Sequence, residues 1–248
     1  RHAVAIYITL LKEGYILSYE WILFDADETL FDFKMSESHA LNQLLTSCSL
    51  DANDTEITGC YKRINEELWR EFEQGRISSA ELRVERFRRF GREQGLSDDA
   101  EELSRRYLGS LAEGAFILAG ALDICLYLKE HGYKMAIITN GIKEVQFGRI
   151  GRSDLKDFFE AVIVSEDTGF QKPQAGIFEH AFRVIQENRK DKMLMIGDSL
   201  TSDIQGGNNI GIDTCWYNPN RLPNETAIVP TYEIHDLAEI KDILEKKG

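Results

Sequence analysis

No apolar run in the 248 residues is long enough to span a membrane. Basic residues are scarce: 29 Lys and Arg stand against 42 Asp and Glu, a net charge of −13. That deficit disfavours a nucleic-acid polymer or an anionic membrane surface as partner, because both are bound through basic patches. It also means that any cluster of acids will want a cation. Cysteine is sparse. Cys48, Cys60, Cys125 and Cys215 are scattered without CxxC spacing, which argues against a zinc site or a disulfide framework and fits reduced thiols in a cytoplasmic protein. Internal repeats and low-complexity tracts are lacking as well. What remains is a chain with 43% hydrophobic residues, enough for a sizeable core.

Residues 1–17 hold the short apolar run AVAIYITLL, Ala3 to Leu11, followed by Lys12-Glu13-Gly14 where a secretory signal would carry a small-residue cleavage site. We read this stretch as a vector-derived or upstream-translated leader, or an accessory strand, without chemistry of its own.

Strand-like apolar runs recur at 21–24, 135–138, 161–164, 193–196 and 214–217. They lack clean alternation, as strands buried on both faces do. From residue 115 onward, helix-like segments at 122–131, 177–187 and 201–210 separate them, and Gly132 and Gly211 supply stop signals. A closing amphipathic helix is expected over 236–247. Strands and helices alternating at this length predict an α/β fold, a parallel sheet with helices on both faces, formed by 18–32 with 115–248. Residues 33–114 read as helices only, an insert placed as a lid over the first strand's end. Its apolar stripes are Leu41-Leu44-Leu45-Cys48, Ile57-Tyr61-Ile64-Leu68-Phe72 and Leu103-Tyr107-Leu111, and Ser78 to Glu81 is a capping-box pattern. Hinges are expected near 31–33 and 114–116.

Four polar sequences follow the strands: Asp25-Ala26-Asp27-Glu28-Thr29, Thr139-Asn140-Gly141, Lys172-Pro173 and Gly197-Asp198 to Asp203. Each has an ordinary reading alone, as a turn, a helix cap or a solvated lysine. In a parallel sheet these strand ends point the same way and their residues converge. Several carboxylates with one lysine suit a hard divalent cation and a phosphate, so Mg²⁺ is the expected cofactor, with Asp25 and Asp198 as ligands. Asp25 is the candidate nucleophile, giving an aspartyl-phosphate. Asp27, two residues on and facing the same side, is the candidate acid and base. The Thr139 hydroxyl and the Asn140 and Gly141 amides are candidate phosphate binders, Lys172 balances developing charge, and Asp203 orients Lys172 or a metal-bound water.

The motifs DxDxT, Thr-Asn-Gly, Lys-Pro and GDxxxxD resemble those of the haloacid dehalogenase-like hydrolase superfamily, from about Glu20 to the end. The resemblance implies a Rossmann-like core, a first-type (C1) helical cap at the observed insert, Mg²⁺-dependent phosphoryl transfer through Asp25, and Asp27 as a further metal ligand through its backbone carbonyl. The phrases WILFDADETLFDF, LWREFEQGRIS, IITNGI, KPQAGIFEHA and GIDTCWYNP are similar to the YjjG/YfnB-like nucleotide phosphatases and pyrimidine 5′-nucleotidases. That branch implies a small phosphorylated substrate, a nucleoside 5′-monophosphate; it sets no oligomeric state. Glu28 stands where many relatives carry Gly.

Alternatives are a phosphatase or phosphomutase acting on a sugar phosphate, and a phosphate-binding module without turnover. A dehalogenase or phosphonatase needs no acid at Asp27. The core reads only the phosphate, so Trp69, Phe72 and Arg76 in the insert are candidate contacts to base or sugar. The competing reading is that the two rings simply pack the insert.

Overall fold

Trp21–Phe24 form strand β1, buried on both faces. The computed structural model describes residues 19–246; the stretch read as a leader lies outside them. Five further strands follow: β2 (Lys134–Thr139), β3 (Ala161–Val164), β4 (Met193–Gly197), β5 (Asp213–Tyr217) and β6 (Tyr232–Ile234). All pair in parallel in the order β3-β2-β1-β4-β5-β6. β1 lies between β2 and β4, with Phe24 level with Ile137 on one side and Ile196 on the other. The chain passes from β1 outward to β3, then returns across β1 to begin β4. The order therefore reverses at the carboxyl ends of β1 and β4, where a crevice forms in open α/β sheets.

The absence of alternation in these strands has a direct cause, because each face packs its own core. Ile22, Phe24, Met135, Ile137, Leu194 and Ile196 face one cluster, with Ile124, Leu128, Ile150 and Ile240 from three helices. Trp21, Leu23, Ala136, Ile138, Met193 and Met195 face the other, with Ile177, Phe178 and Ile210. Each fully buried side chain of this size contributes about 1.5–3 kcal/mol.

The helices over Ala121–Glu130, Ala175–Ile185 and Ile240–Lys246 lie where apolar periodicity puts them. The expected 201–210 helix is two pieces, a π-helical turn at Leu200–Ile204 and a helix at Gln205–Ile210. Two helices, Lys143–Arg152 and Ser165–Thr168, and strand β6 lie outside the elements read from the sequence.

The chain divides into two compact units, one joining residues up to Phe33 to those from Ala115 onward, the other Lys34–Gly114. The second unit is helical: Thr55–Glu73, Ser79–Gln94 and Ala100–Glu113 follow the helix begun at Phe33. Asp54 caps one helix, accepting from the Glu56 amide at 2.8 Å, and Ser78 and Glu81 complete the expected capping box. Leu41, Leu44 and Leu45 are buried, as are Tyr61, Ile64, Leu68, Leu103, Tyr107 and Leu111. Ile57 and Phe72 are only half-buried. Among the described residues, no helix is long and apolar enough to cross a membrane.

Candidate active site

β1 delivers Asp25 to its carboxyl end. The Asp25 amide still donates to the Ile196 carbonyl at 2.9 Å, so the aspartate is held as the strand's next ladder position. The chain then turns back at once: the Leu30 and Phe31 amides both donate to the Ala26 carbonyl at 2.9 Å. Glu28 sits inside this turn at φ 59°. That left-handed backbone disfavours a side chain and is natural for glycine, which gives a physical reason for glycine at this place in the motif.

Lys172 lies at the centre of the site. Its ammonium donates to Asp25 Oδ1 at 2.5 Å and to the Ile138 carbonyl at 2.7 Å, and it pairs with Asp203 Oδ1 at 2.7 Å. Two of these contacts are hydrogen bonds, and the third is an ion pair. Lys172 is 3% exposed and Asp203 0%. The Asn140 side chain fixes this lysine from behind. Its Oδ1 accepts from the Lys172 amide at 2.7 Å, and its Nδ2 donates to the Lys172 carbonyl at 2.9 Å. The amide side chain of Asn140 thus holds Lys172, and its backbone N–H is the group expected to serve the phosphate. Thr139, the last residue of β2, is buried beside it.

The end of β4 supplies the remaining acids. Asp198 is oriented through its backbone, whose carbonyl accepts from Trp216 Nε1 at 2.8 Å. Trp216 was not among the expected site residues, although it lies in the quoted GIDTCWYNP phrase. Asp203 sits in the π-helical turn, and its Oδ2 accepts from the Ser199 amide at 3.0 Å. Gly197 makes the approach possible, because a Cβ there would lie 2.2 Å from Asp203 Oδ2. We expect Gly197→Ala to push Asp203 off Lys172, lowering kcat about 100-fold and stability by about 1–3 kcal/mol. Steady-state rates and thermal melting check both.

Carboxylate oxygens of Asp25, Asp198 and Asp203 all lie within 4.8 Å of one another. Burial pushes the Asp25 carboxyl well above the usual carboxylate range; Lys172 opposes this, and the charges of Asp203, Asp198 and Asp27 add to it. Burial, with the Asp203 charge next, pushes Asp198 up to about 7. With all three ionised, the carboxylates exceed the lysine by two negative charges, which a divalent cation with oxygen ligands would neutralise.

Asp27 is placed differently. Its carboxylate is outside this cluster, gripped by two side chains that the sequence reading did not single out. Arg149 Nη1 donates to Oδ1 at 2.5 Å, and Gln146 Nε2 to Oδ2 at 2.7 Å. Both lie on the unanticipated Lys143–Arg152 helix. In the helical unit, Trp69 and Phe72 are half-buried and meet edge to face at 5.7 Å between centroids, and Arg76 is exposed beyond that helix's end. The ring contact is packing within the unit.

The family model for haloacid dehalogenase-like hydrolases matches residues 19–211. The chain belongs to the haloacid dehalogenase-like hydrolases. It is 42% identical over 228 residues to the pyrimidine 5′-nucleotidase PynA of Streptococcus pneumoniae, covering 92% of this chain and 96% of PynA. It is 32% identical over 228 residues to the pyrimidine 5′-nucleotidase YjjG of Escherichia coli, covering 92% and 99%. A crystal structure of the HAD-hydrolase YfnB of Bacillus subtilis bound to magnesium superposes with a TM-score of 0.83 at 40% identity, covering 91% of this chain and 98% of YfnB. As a haloacid dehalogenase-like hydrolase the chain is an enzyme, and its six-stranded parallel sheet is the Rossmann-like core of that family.

Proposed function

We propose that this hydrolase is a Mg²⁺-dependent phosphatase that cleaves a nucleoside 5′-monophosphate through an aspartyl-phosphate on Asp25. The observation that carries the proposal is the set at the ends of β1 and β4. A buried lysine joins Asp25 to Asp203, Asp198 is beside them, and a second aspartate, Asp27, stands apart. The resemblance of the whole chain to PynA and YjjG supports a pyrimidine nucleotide as substrate.

In this reading the Asp25 carboxylate attacks phosphorus, and the ester P–O bond breaks. Asp27 gives its proton to the leaving alkoxide. Asp27, now a carboxylate, takes a proton from water as that water attacks the phosphorus, freeing Asp25 and inorganic phosphate. Lys172 and the backbone amides of Asn140 and Gly141 stabilise the phosphoryl oxygens, with the Thr139 hydroxyl. Asp203 holds Lys172 in place through their ion pair. Mg²⁺ would be held by Asp25, Asp198 and the Asp27 carbonyl, and supplies charge neutralisation and alignment of the phosphoryl group. Trp69, Phe72 and Arg76 on the helical unit are the proposed contacts to base or sugar.

The test is phosphate release from a panel of nucleoside monophosphates and sugar phosphates with Mg²⁺, ranked by kcat/KM, and from p-nitrophenyl phosphate. We expect release abolished by EDTA, with UMP or dUMP near the top. Release that persists in EDTA overturns the metal reading; a sugar phosphate ranked above every nucleotide overturns the substrate. Trp69→Ala should reorder the ranking, and a lowered melting temperature with an unchanged ranking removes it from the substrate site.

A further inference from the structure

Burying Arg149 and Gln146 costs more than their packing and pairing return. Arg149 is 0% exposed, whereas the Asp27 side chain that it pairs with is 27% exposed. A buried guanidinium thus serves a half-open carboxylate. Arg149 Nε and Nη2 and Gln146 Oε1 are buried without a hydrogen-bond partner. The guanidinium lies near the rings of Phe31 and Phe33, 5.2 and 5.5 Å from their centroids, which offsets only part of the desolvation cost. Buried ion pairs rarely add net stability, and unpaired buried donors subtract from it. Where a local rule is broken without a gain in stability, function is the usual reason.

The geometry is specific. Gln146 and Arg149 are three apart on one helix, so they project from one face, and each takes a different oxygen of Asp27. Two donors on two oxygens stop rotation about the Cβ–Cγ bond. Each oxygen keeps a second lone pair, on which a proton can be carried toward substrate or taken from water. Gly141 belongs to the same device. A Cβ on Gly141 would lie 2.4 Å from Gln146 Nε2 and 2.6 Å from its Cγ, so the glycine of Thr-Asn-Gly leaves the space through which Gln146 reaches Asp27.

We infer that Gln146 and Arg149 are positioning residues that fix the carboxylate of Asp27 in the orientation needed to protonate the leaving group. The inference rests on the reading of Asp27 as acid and base. Neither residue is assigned contact with substrate, so their effect passes through Asp27 alone. It should scale with how much the leaving oxygen needs a proton.

The experiment compares kcat/KM for phenyl phosphate and p-nitrophenyl phosphate in the wild type, Asp27→Asn, Gln146→Leu and Arg149→Ala. The two esters are alike in shape, but phenolate is the stronger base and needs the proton more. In all three variants we expect phenyl phosphate turnover to fall about tenfold further than p-nitrophenyl phosphate turnover. Added guanidinium should recover part of the loss in Arg149→Ala alone. A residue that merely supports the fold would lower both substrates equally, and equal losses in Gln146→Leu and Arg149→Ala overturn the inference. If Arg149→Ala does not fold, Gln146→Leu decides by the same ratio. If Asp27→Asn itself shows no leaving-group dependence, the acid–base reading of Asp27 is what fails. If Asp27→Asn shows it and the other variants do not, only the positioning role falls.

Discussion

Asp25→Asn should lower turnover by on the order of 10⁴-fold while leaving the protein folded. The carboxamide has the shape of the carboxylate and can still accept from Lys172, which reaches Asp25 Oδ1 at 2.5 Å in the wild type. What it lacks is the anionic oxygen that attacks phosphorus, so no aspartyl-phosphate forms. Stability should move the other way. Asp25 is 7% exposed, and burial with the charges of Asp203, Asp198 and Asp27 outweighs the pull of Lys172 and disfavours its ionised form. A neutral side chain removes that repulsion, so the metal-free variant should melt no lower than the wild type at neutral pH. An inactive enzyme with a preserved or raised melting temperature is the expected pair of results. Substantial activity in Asp25→Asn would sink the covalent mechanism, and a collapsed melting temperature would show that the carboxylate is structural.

Such a site trades stability for reactivity, and that trade governs how much of it could be read from the sequence. The central strands were legible because burial on both faces leaves them apolar throughout, as in Trp21–Phe24. The converging acids were legible because each lies just past such a strand. Strand β6 was not: it has three residues, and its middle one, Glu233, is exposed, so neither an apolar run nor a full alternation marks it. The Lys143–Arg152 helix escaped for a more instructive reason. Its buried residues are Val145, Gln146, Arg149 and Ile150, so half of its inward face is polar and the apolar period fails. The interruption falls on the two residues that hold Asp27. A polar pair three apart on an otherwise short amphipathic stretch, one turn after Thr-Asn-Gly, is the signal that would have found them. The π-helical turn at Leu200–Ile204 is invisible to periodicity as well, and it carries the buried Asp203. Glu28 is a third case: its left-handed backbone is a property of the turn, and the residue type alone does not report it.

Lys172→Met should show the same trade from the side of the cation. The lysine neutralises Asp25 and Asp203, buried with it, and satisfies the Ile138 carbonyl. Removing it leaves two buried carboxylates without their partner, which costs about 3–5 kcal/mol at neutral pH. The pH dependence follows from the directions of the shifts. The Lys172 ammonium is held above its ordinary value by Asp203 and Asp25, against desolvation, so its contribution is fully present at neutral pH. Asp25 and Asp198 are shifted upward, and Asp198 reaches about 7. An acid with a raised folded pKa destabilises nothing below its unfolded value of about 4; its cost grows as pH rises from there to the folded value and is level above it. The deficit of the metal-free variant should therefore be small near pH 4–5 and largest above pH 7. Added Mg²⁺ should restore part of it, because a divalent cation among the same carboxylates replaces the missing positive charge. Turnover should not return with it. Lys172 is also the proposed cation for charge developing on the phosphoryl oxygens, and losing that is expected to cost about 10²–10³-fold in kcat. Thermal melting of both proteins from pH 5 to 8, with MgCl₂ and with EDTA, separates the two effects. Equal stability of variant and wild type across that range would show that the site's negative charge is balanced by something other than Lys172.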